Sequence, residues 1–187
     1  MPNATYLTDN FLIAMPGLND PNFAQTLTYI CEHSADGALG IIVNRPTKIR
    51  LSDILEQMEL KHPVQPQWDV PIYAGGPVGN ERGFVIHTGP DKYDTTLQVT
   101  EQIHITTSRD ILLAISLGEG PAEYLVALGY AGWGAGQLEQ EIRDNAWLCV
   151  KANKRLLFHT PAEQRLAAAA GLLGIELASL TGDMGHA

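Results

Sequence analysis

The segment Gly129-Tyr130-Ala131-Gly132-Trp133-Gly134-Ala135-Gly136-Gln137-Leu138-Glu139 restricts the fold of this chain more than any other stretch. A strand-like run, Tyr124 to Tyr130, enters four glycines and leaves as an amphipathic helix between Gly134 and Asn145, with Leu138 and Ile142 on its apolar face. Glycine tolerates positive φ and lets backbones approach closely. A helix N-terminus also offers free N–H groups to an anion. The segment therefore reads in two ways: as a cradle for phosphate or carboxylate with Trp133 as a stacking lid, or as a tight turn that packs a helix on a sheet with Trp133 in the core. The second is favoured. Dinucleotide folds require Gly-x-Gly-x-x-Gly in an early βαβ unit with an acid about 20 residues later. Here the spacing is Gly-x-Gly-x-Gly, and about 50 residues follow Gly136. No Gly-x-x-x-x-Gly-Lys-Ser/Thr occurs anywhere, which argues against a nucleoside-triphosphate site.

The rest of the chain is richer in strand signals than in helix signals. Phe11 to Met15, Thr26 to Glu32, Leu39 to Val43, Ile72 to Ala74, Phe84 to Thr88, Thr96 to Val99, Gln102 to Thr107 and Trp147 to Lys151 are apolar or alternating runs bounded by turn residues. Leu51, Ile54, Leu55 and Met58 mark one face of a helix that Ser52 could cap. Ser108 precedes a helix over Arg109 to Leu117, stopped by Gly118. Thr160-Pro161-Ala162-Glu163 is a capping box opening a helix that ends at Gly171 or Gly174. Prolines cluster in Lys61 to Pro71, an extended surface connection. Strands and helices do not alternate strictly, so the prediction is one α+β domain over residues 1–187 with a mixed, mostly antiparallel sheet.

Charge and cysteine content exclude whole classes of function. The chain has 187 residues with 12 Lys+Arg against 21 Asp+Glu, a net charge of −9. That balance opposes wrapping nucleic acid or anionic membrane with the whole surface. Two cysteines, Cys31 and Cys149, rule out a disulfide framework or a four-cysteine zinc site and suit a reducing compartment. The first cation is Arg45, and the longest near-apolar stretch, Leu166 to Ile175, is ten residues. Neither a secretory signal nor a bilayer span is indicated, and the expectation is a soluble cytoplasmic protein. The cations are grouped, with Arg45, Lys48 and Arg50 in one segment and Lys151, Lys154 and Arg155 in another. They read as two solvated loops, or as one anion-binding patch if the fold joins them.

Candidate chemistry is sparse. In Cys31-Glu32-His33 a regular strand would point Cys31 and His33 to one face, the geometry a Cys–His pair needs. Against that, Cys31 ends an apolar run and Cys149 sits between Leu148 and Val150, so both read as core. The histidines at 33, 62, 87, 104, 159 and 186 show no metal-ligand spacing, and no serine lies in a Gly-x-Ser-x-Gly elbow. No metal or cofactor is predicted. Gln137 and Glu141 share a helical face, and Glu139 and Arg143 form an exposed i,i+4 pair. Strand ends at Asn44-Arg45 and Gly75-Gly76 could line one cleft with the glycine segment. The ligand-binding candidates are therefore His33, Asn44, Arg45, Gly75, Gly76, His87, Trp133, Gly134, Gln137 and Glu141.

Several of these segments also carry a family resemblance. Gly17 to Phe23, Glu32-His33 with Gly37 to Pro46, Gly75 to Val78, Phe84 to His87, Leu128 to Leu148 and the tail Gly182 to Ala187 resemble the YqgE/AlgH family, in order and over nearly the whole chain. The resemblance implies a bacterial protein whose strongly bent, partly barrel-like sheet is surrounded by helices. It implies no reaction and no catalytic set, although some members carry a transcriptional-regulator label. Leu166 stands where the family pattern leads one to expect a tryptophan. Three functions compete, in this order: a regulatory protein binding a small molecule or a protein partner, a hydrolase-like enzyme near Cys31, His33 and Gly129 to Gly136, and a direct DNA binder. The last is disfavoured because no basic recognition helix is present.

Overall fold

Alternating β-branched and aromatic residues build ten strands among the described residues of a computed structural model, which cover 5–18, 20–60 and 65–176. They are β1 (Asn10–Ala14), β2 (Leu27–Ser34), β3 (Gly37–Ile42), β4 (Pro46–Arg50), β5 (Pro71–Ala74), β6 (Val78–His87), β7 (Thr96–Gln98), β8 (His104–Thr106), β9 (Tyr124–Gly134) and β10 (Trp147–Lys151). Four α-helices accompany them: α1 (Leu51–Gln57), α2 (Asp110–Ser116), α3 (Gln137–Arg143) and α4 (Ala162–Leu172). A 3₁₀ turn at Pro66–Trp68 and a π-helical turn at Arg155–His159 complete the set. Strand order is β10-β1-β2-β3-β9-β6-β8-β7, with β5 added to β9 and β4 to β5. Only the β5–β9 pairing is parallel, so the sheet is mixed and mostly antiparallel, as predicted.

The pivot is β9. Its first half, Tyr124 to Leu128, lies between β5 and β6, and its second half, Ala131 to Gly134, pairs with Gly37 to Gly40 of β3. Between the halves Gly129 takes φ +82°, and a Cβ there would stand 2.6 Å from the Gly76 carbonyl oxygen. Opposite, the Gly75 N–H donates to Leu128 O and its carbonyl accepts from the Ile42 N–H, both at 2.8 Å. Backbone thus packs on backbone at the bend, and the sheet curls into a half-barrel.

Three apolar clusters follow from that curl. The concave interior holds Phe11, Tyr29, Ile41, Phe84, Ile86 and Ile105 and is closed by Leu166, Ala169 and Ala170 of α4. Full burial of such a side chain contributes about 1.5–3 kcal/mol. Leu166, the departure from the family pattern, fills this interior at 9% exposure. Arg165 beside it donates to Val43 O (2.6 Å) and Thr160 O (2.9 Å) and lies over the Tyr73 ring, tying α4 to the sheet. On the convex side α3 covers Leu12, Ile30, Trp133 and Trp147, while α1 and α2 cover Ile72, Val85 and Val126.

The structure departs from the sequence reading at element ends. Residues 46–50, read as a turn and a basic segment, form edge strand β4, where Pro46 at the first position forfeits no ladder bond. β6 begins at Val78 rather than Phe84, and β9 runs on to Gly134, leaving a turn of only Ala135 and Gly136. The α1 cap is the Asp53 carboxylate on the Arg50 N–H (2.8 Å), while Ser52 donates to Asp69 instead. Ser108 likewise donates to Asp110 (2.6 Å) rather than capping α2, and Thr160 reaches back to Arg155 O. Gly118 and Gly174 do take the left-handed conformation that stops α2 and α4. Asn19, Lys61 to Val64 of the proline-rich connection, His186 and the tail Gly182 to Ala187 lie outside the described residues. Among the described residues no helix is long and apolar enough to cross a membrane.

Candidate functional site

Four of the ligand-binding candidates converge, on one another. The Glu141 Oε1 accepts from both indoles, Trp133 Nε1–H and Trp147 Nε1–H, each at 2.9 Å. Its Oε2 accepts from Gln137 Nε2 (2.9 Å), and Gln137 Oε1 accepts from the Gly134 N–H (2.9 Å). Trp133, Trp147 and Phe23 pack ring against ring at 5.5–6.2 Å. The carboxylate thus clamps α3 to β9 and β10 through the two indoles, with Gln137 of the same helix as its third donor.

His33 is buried beneath the same helix. The Leu7 N–H donates to its Nδ1 (2.9 Å), which places the ring proton on Nε2, and Nε2 donates to Glu139 Oε1 (2.8 Å). That bond is the main cause holding the Glu139 carboxyl below its ordinary range. Glu139 therefore faces His33, and Arg143 turns instead to Gln140 (2.8 Å). The Cys31–His33 contact that a regular strand would allow does not form, and Cys31 is core, as its apolar run indicates. A bulge between Ile30 and Glu32 reverses the alternation of β2, so Cys31 enters the barrel interior while His33 goes to the α3 side. Cys31 is 2% exposed, and burial pushes its thiol up.

Asn44 and Arg45 hold the preceding turn. Asn44 accepts from the Leu27 N–H (2.9 Å) and donates to Gln25 O (3.0 Å), and Arg45 donates to the carbonyls of Asn22 (2.7 Å) and Ala24 (2.8 Å). Gly75 and Gly76 sit at the bend against β9. Of the basic segments, Arg50 pairs with Asp69 (3.2 Å) and Lys151 with Asp9 (3.1 Å), while Lys48 and Arg155 are exposed. The segments belong to strands at different borders of the sheet, β4 beyond β5 and β10 beyond β1.

His87 is fully buried. Its Nδ1 donates to Thr88 O (2.8 Å), so Nε2 accepts from the Thr106 hydroxyl (2.7 Å). His104 stacks at 5.7 Å, and Tyr93 meets the ring edge-on at 5.5 Å. Burial pulls His87 below its ordinary 6.5, and the neighbouring His104 adds to that. The neutral ring is thus the native form. Because the unfolded chain takes up the proton first, stability is full above about pH 6.5 and declines as the pH falls from there toward the lower native value. The carboxylates held low, Asp69, Asp110 and Glu139, act only below their ordinary 3.8–4.5. We expect the melting temperature to drop between about pH 6.5 and about pH 5, and His87→Gln to flatten that drop. Equal slopes for the two proteins would show that His87 is not its source.

An open cleft lies elsewhere, between α1 and α2 over the convex sheet face. Its volume is about 480 Å³, with Val85 and Val126 in the floor, Ile54, Met58 and Leu112 as walls and Arg109 at the rim. It adjoins a shallower cavity of about 590 Å³ that shares Ile54, Gln57 and Leu128. The two seven-residue helices are too short to cover this face. Gly83 belongs to the floor, paired with Leu128 of β9 on one side and, two residues before the β8 pairing begins at Val85, open on the other. No positive φ requires it, and a Cβ there would meet nothing within 4 Å.

Comparison with known proteins follows the same architecture. The AlgH-like family profile (DUF179) matches residues 11–178. The chain belongs to the AlgH-like family. Among curated relatives, a UPF0301 protein of Nitrosococcus oceani is 51% identical over 187 residues, covering 100% of both chains. One of Methylococcus capsulatus is 52% identical over 183 residues, covering 98% of this chain and 97% of its own. The solution structure of the AlgH protein from Pseudomonas aeruginosa superposes with a TM-score of 0.81 at 48% identity, over 100% of this chain and 99% of that one. A crystal structure from Corynebacterium diphtheriae, at 18% identity and TM-score 0.68 over 97% of this chain and 93% of that one, shares the fold.

None of the residues anticipated for ligand binding lines the AlgH-like chain's α1–α2 cleft. Gly83 lies inside β6, at the end of an irregular stretch that begins at Val78 and holds left-handed Gly79, and belongs to no motif of the sequence. A glycine inside a strand marks a bulge or a close approach of ligand or backbone, and that is the signal the sequence carries here.

Proposed function

We propose that this AlgH-like protein acts by binding a small molecule, as a regulatory or ligand-responsive protein, and that the α1–α2 cleft is the binding site. The observation that carries this reading is Gly83: no left-handed φ and no close neighbour calls for a glycine there, and its missing side chain keeps the cleft open. Apolar clefts of roughly 300–1,000 Å³ with a few polar groups at the rim are the usual form of small-molecule sites. An enzymatic reading has less support, because Cys31 is enclosed and the Thr106 hydroxyl, although bonded to His87, is itself 0% exposed. Direct DNA contact has less support as well, since Arg45, Arg50 and Lys151 already hold partners within the chain.

The test uses Gly83→Leu, which fills the cleft from its floor without touching the core. Nile red, a neutral apolar dye, is expected to bind the wild type and to lose about tenfold or more in affinity with the variant, a change of about 1.4 kcal/mol. The variant should melt close to the wild type, because the added side chain enters open space. Unchanged dye binding by a folded Gly83→Leu would refute the assignment.

A further inference from the structure

The cleft is electrically polar along its length. Val85 pairs with Thr106, so this end of the floor lies beside the chain that leads through Thr107 and Ser108 into Arg109. Gly83 pairs with Leu128, and Glu81 stands further along β6, beyond Gly83 on the side away from Val85. The adjoining cavity, reached across Leu128, carries Asp53 and Glu56 on its wall. One end is therefore cationic and the other acidic, with an apolar middle.

Among the described residues Arg109 is the single cation lining either cavity. Its guanidinium crosses from the start of α2 to the end of α1 and donates to Met58 O at 3.3 Å. Among the described residues it forms no ion pair. A guanidinium has five N–H donors in a planar fork that matches a carboxylate or phosphate, so one long bond to a carbonyl leaves most of them for a ligand. Gln57 also lines the cleft. At the far end Glu81 and Asp53 would repel a second negative charge.

We infer that the cleft takes an amphipathic monoanion, with its carboxylate or phosphate head on Arg109, an apolar body over Val85, Val126 and Leu128, and a far end without negative charge. The assignment rests on the cleft being the binding site, so the experiment separates the two. Titration calorimetry of the full chain compares decanoate, decanol and decanedioate, which share a ten-carbon body and differ in their ends. Decanoate is expected to bind about tenfold tighter than either of the others. Arg109→Gln should bring decanoate down to the level of decanol and leave decanol unchanged. Glu81→Gln should strengthen decanedioate selectively.

Decanol or decanedioate matching decanoate, or Arg109→Gln binding decanoate as the wild type does, overturns the ligand class. If Gly83→Leu has meanwhile lost all three ligands, the cleft itself still stands as the site. If Gly83→Leu binds all three normally, or the wild type binds none, both the site and the ligand class fall.

Discussion

Gly76→Ala is expected to leave the protein largely unfolded, whereas Gly83→Ala, seven residues later, should be neutral or mildly stabilising. At Gly76 an added Cβ would lie 2.1 Å from the Tyr130 carbonyl carbon, 2.2 Å from its oxygen and 2.5 Å from the Ala131 nitrogen. All three are backbone atoms of the pivot strand. They can retreat only if β9 leaves β3 or β6, which would open the half-barrel at its bend. Strain of this kind belongs to the rare substitutions costing about 4 kcal/mol or more. Against a domain stability of about 5–15 kcal/mol, that removes much or all of the margin. At Gly83 the added methyl meets nothing within 4 Å, and losing a glycine from a strand interior gains roughly 0.5–1 kcal/mol. Urea unfolding of the two variants checks the pair. A Gly76→Ala protein unfolding at the wild-type midpoint would mean that the bend is not packed backbone on backbone.

The contrast also explains what could be read from residues alone. Periodicity located β1, β2, β5 and β10 to within a residue or two, because each is an apolar run bounded by turn residues. It could not see that β9 continues through its glycines. A glycine accommodating a neighbouring strand and a glycine in a turn look identical until the neighbour is known, and the neighbour of Gly129 is Gly76, 53 positions earlier. β4 was illegible for the converse reason: an edge strand exposed along most of its length has no apolar alternation to betray it. The bulge in β2 is a third case. A single extra residue sends Cys31 inward and His33 outward, and nothing in Cys31-Glu32-His33 encodes it. Candidate residues chosen for polarity at strand ends were found largely occupied in holding those ends. The cleft arises from what two short helices leave uncovered, a property of assembly rather than of any motif.

Glu141 offers the second large effect, and it separates a clamp from a solvated helix face. In Glu141→Leu two indole N–H groups lose their acceptor while Trp133 and Trp147 remain 7% and 3% exposed. A buried donor left without a partner costs about 1–3 kcal/mol, so the pair predicts a loss of roughly 2–4 kcal/mol once partial access of water to the helix edge is allowed for. Glu141→Gln retains one oxygen for the indoles but sets its amide against the Gln137 amide, donor to donor. Gln137 can relieve this only by rotating its own amide, which withdraws the acceptor from the Gly134 N–H. One bond is lost, and the expected cost is about 1 kcal/mol. The order wild type, then Gln, then Leu in unfolding free energy is therefore fixed by the network. Near-ultraviolet circular dichroism adds an independent check, because the two indoles meet at 6.1 Å and 76° and owe that geometry to the shared oxygen. Glu141→Leu should weaken that tryptophan signal in the folded state, while Glu141→Gln should keep it. A Leu variant as stable as the wild type, with an unaltered tryptophan spectrum, would return Glu141 to the role of an ordinary surface carboxylate and leave α3 held by Leu138, Ile142 and the His33–Glu139 and Gly134–Gln137 bonds.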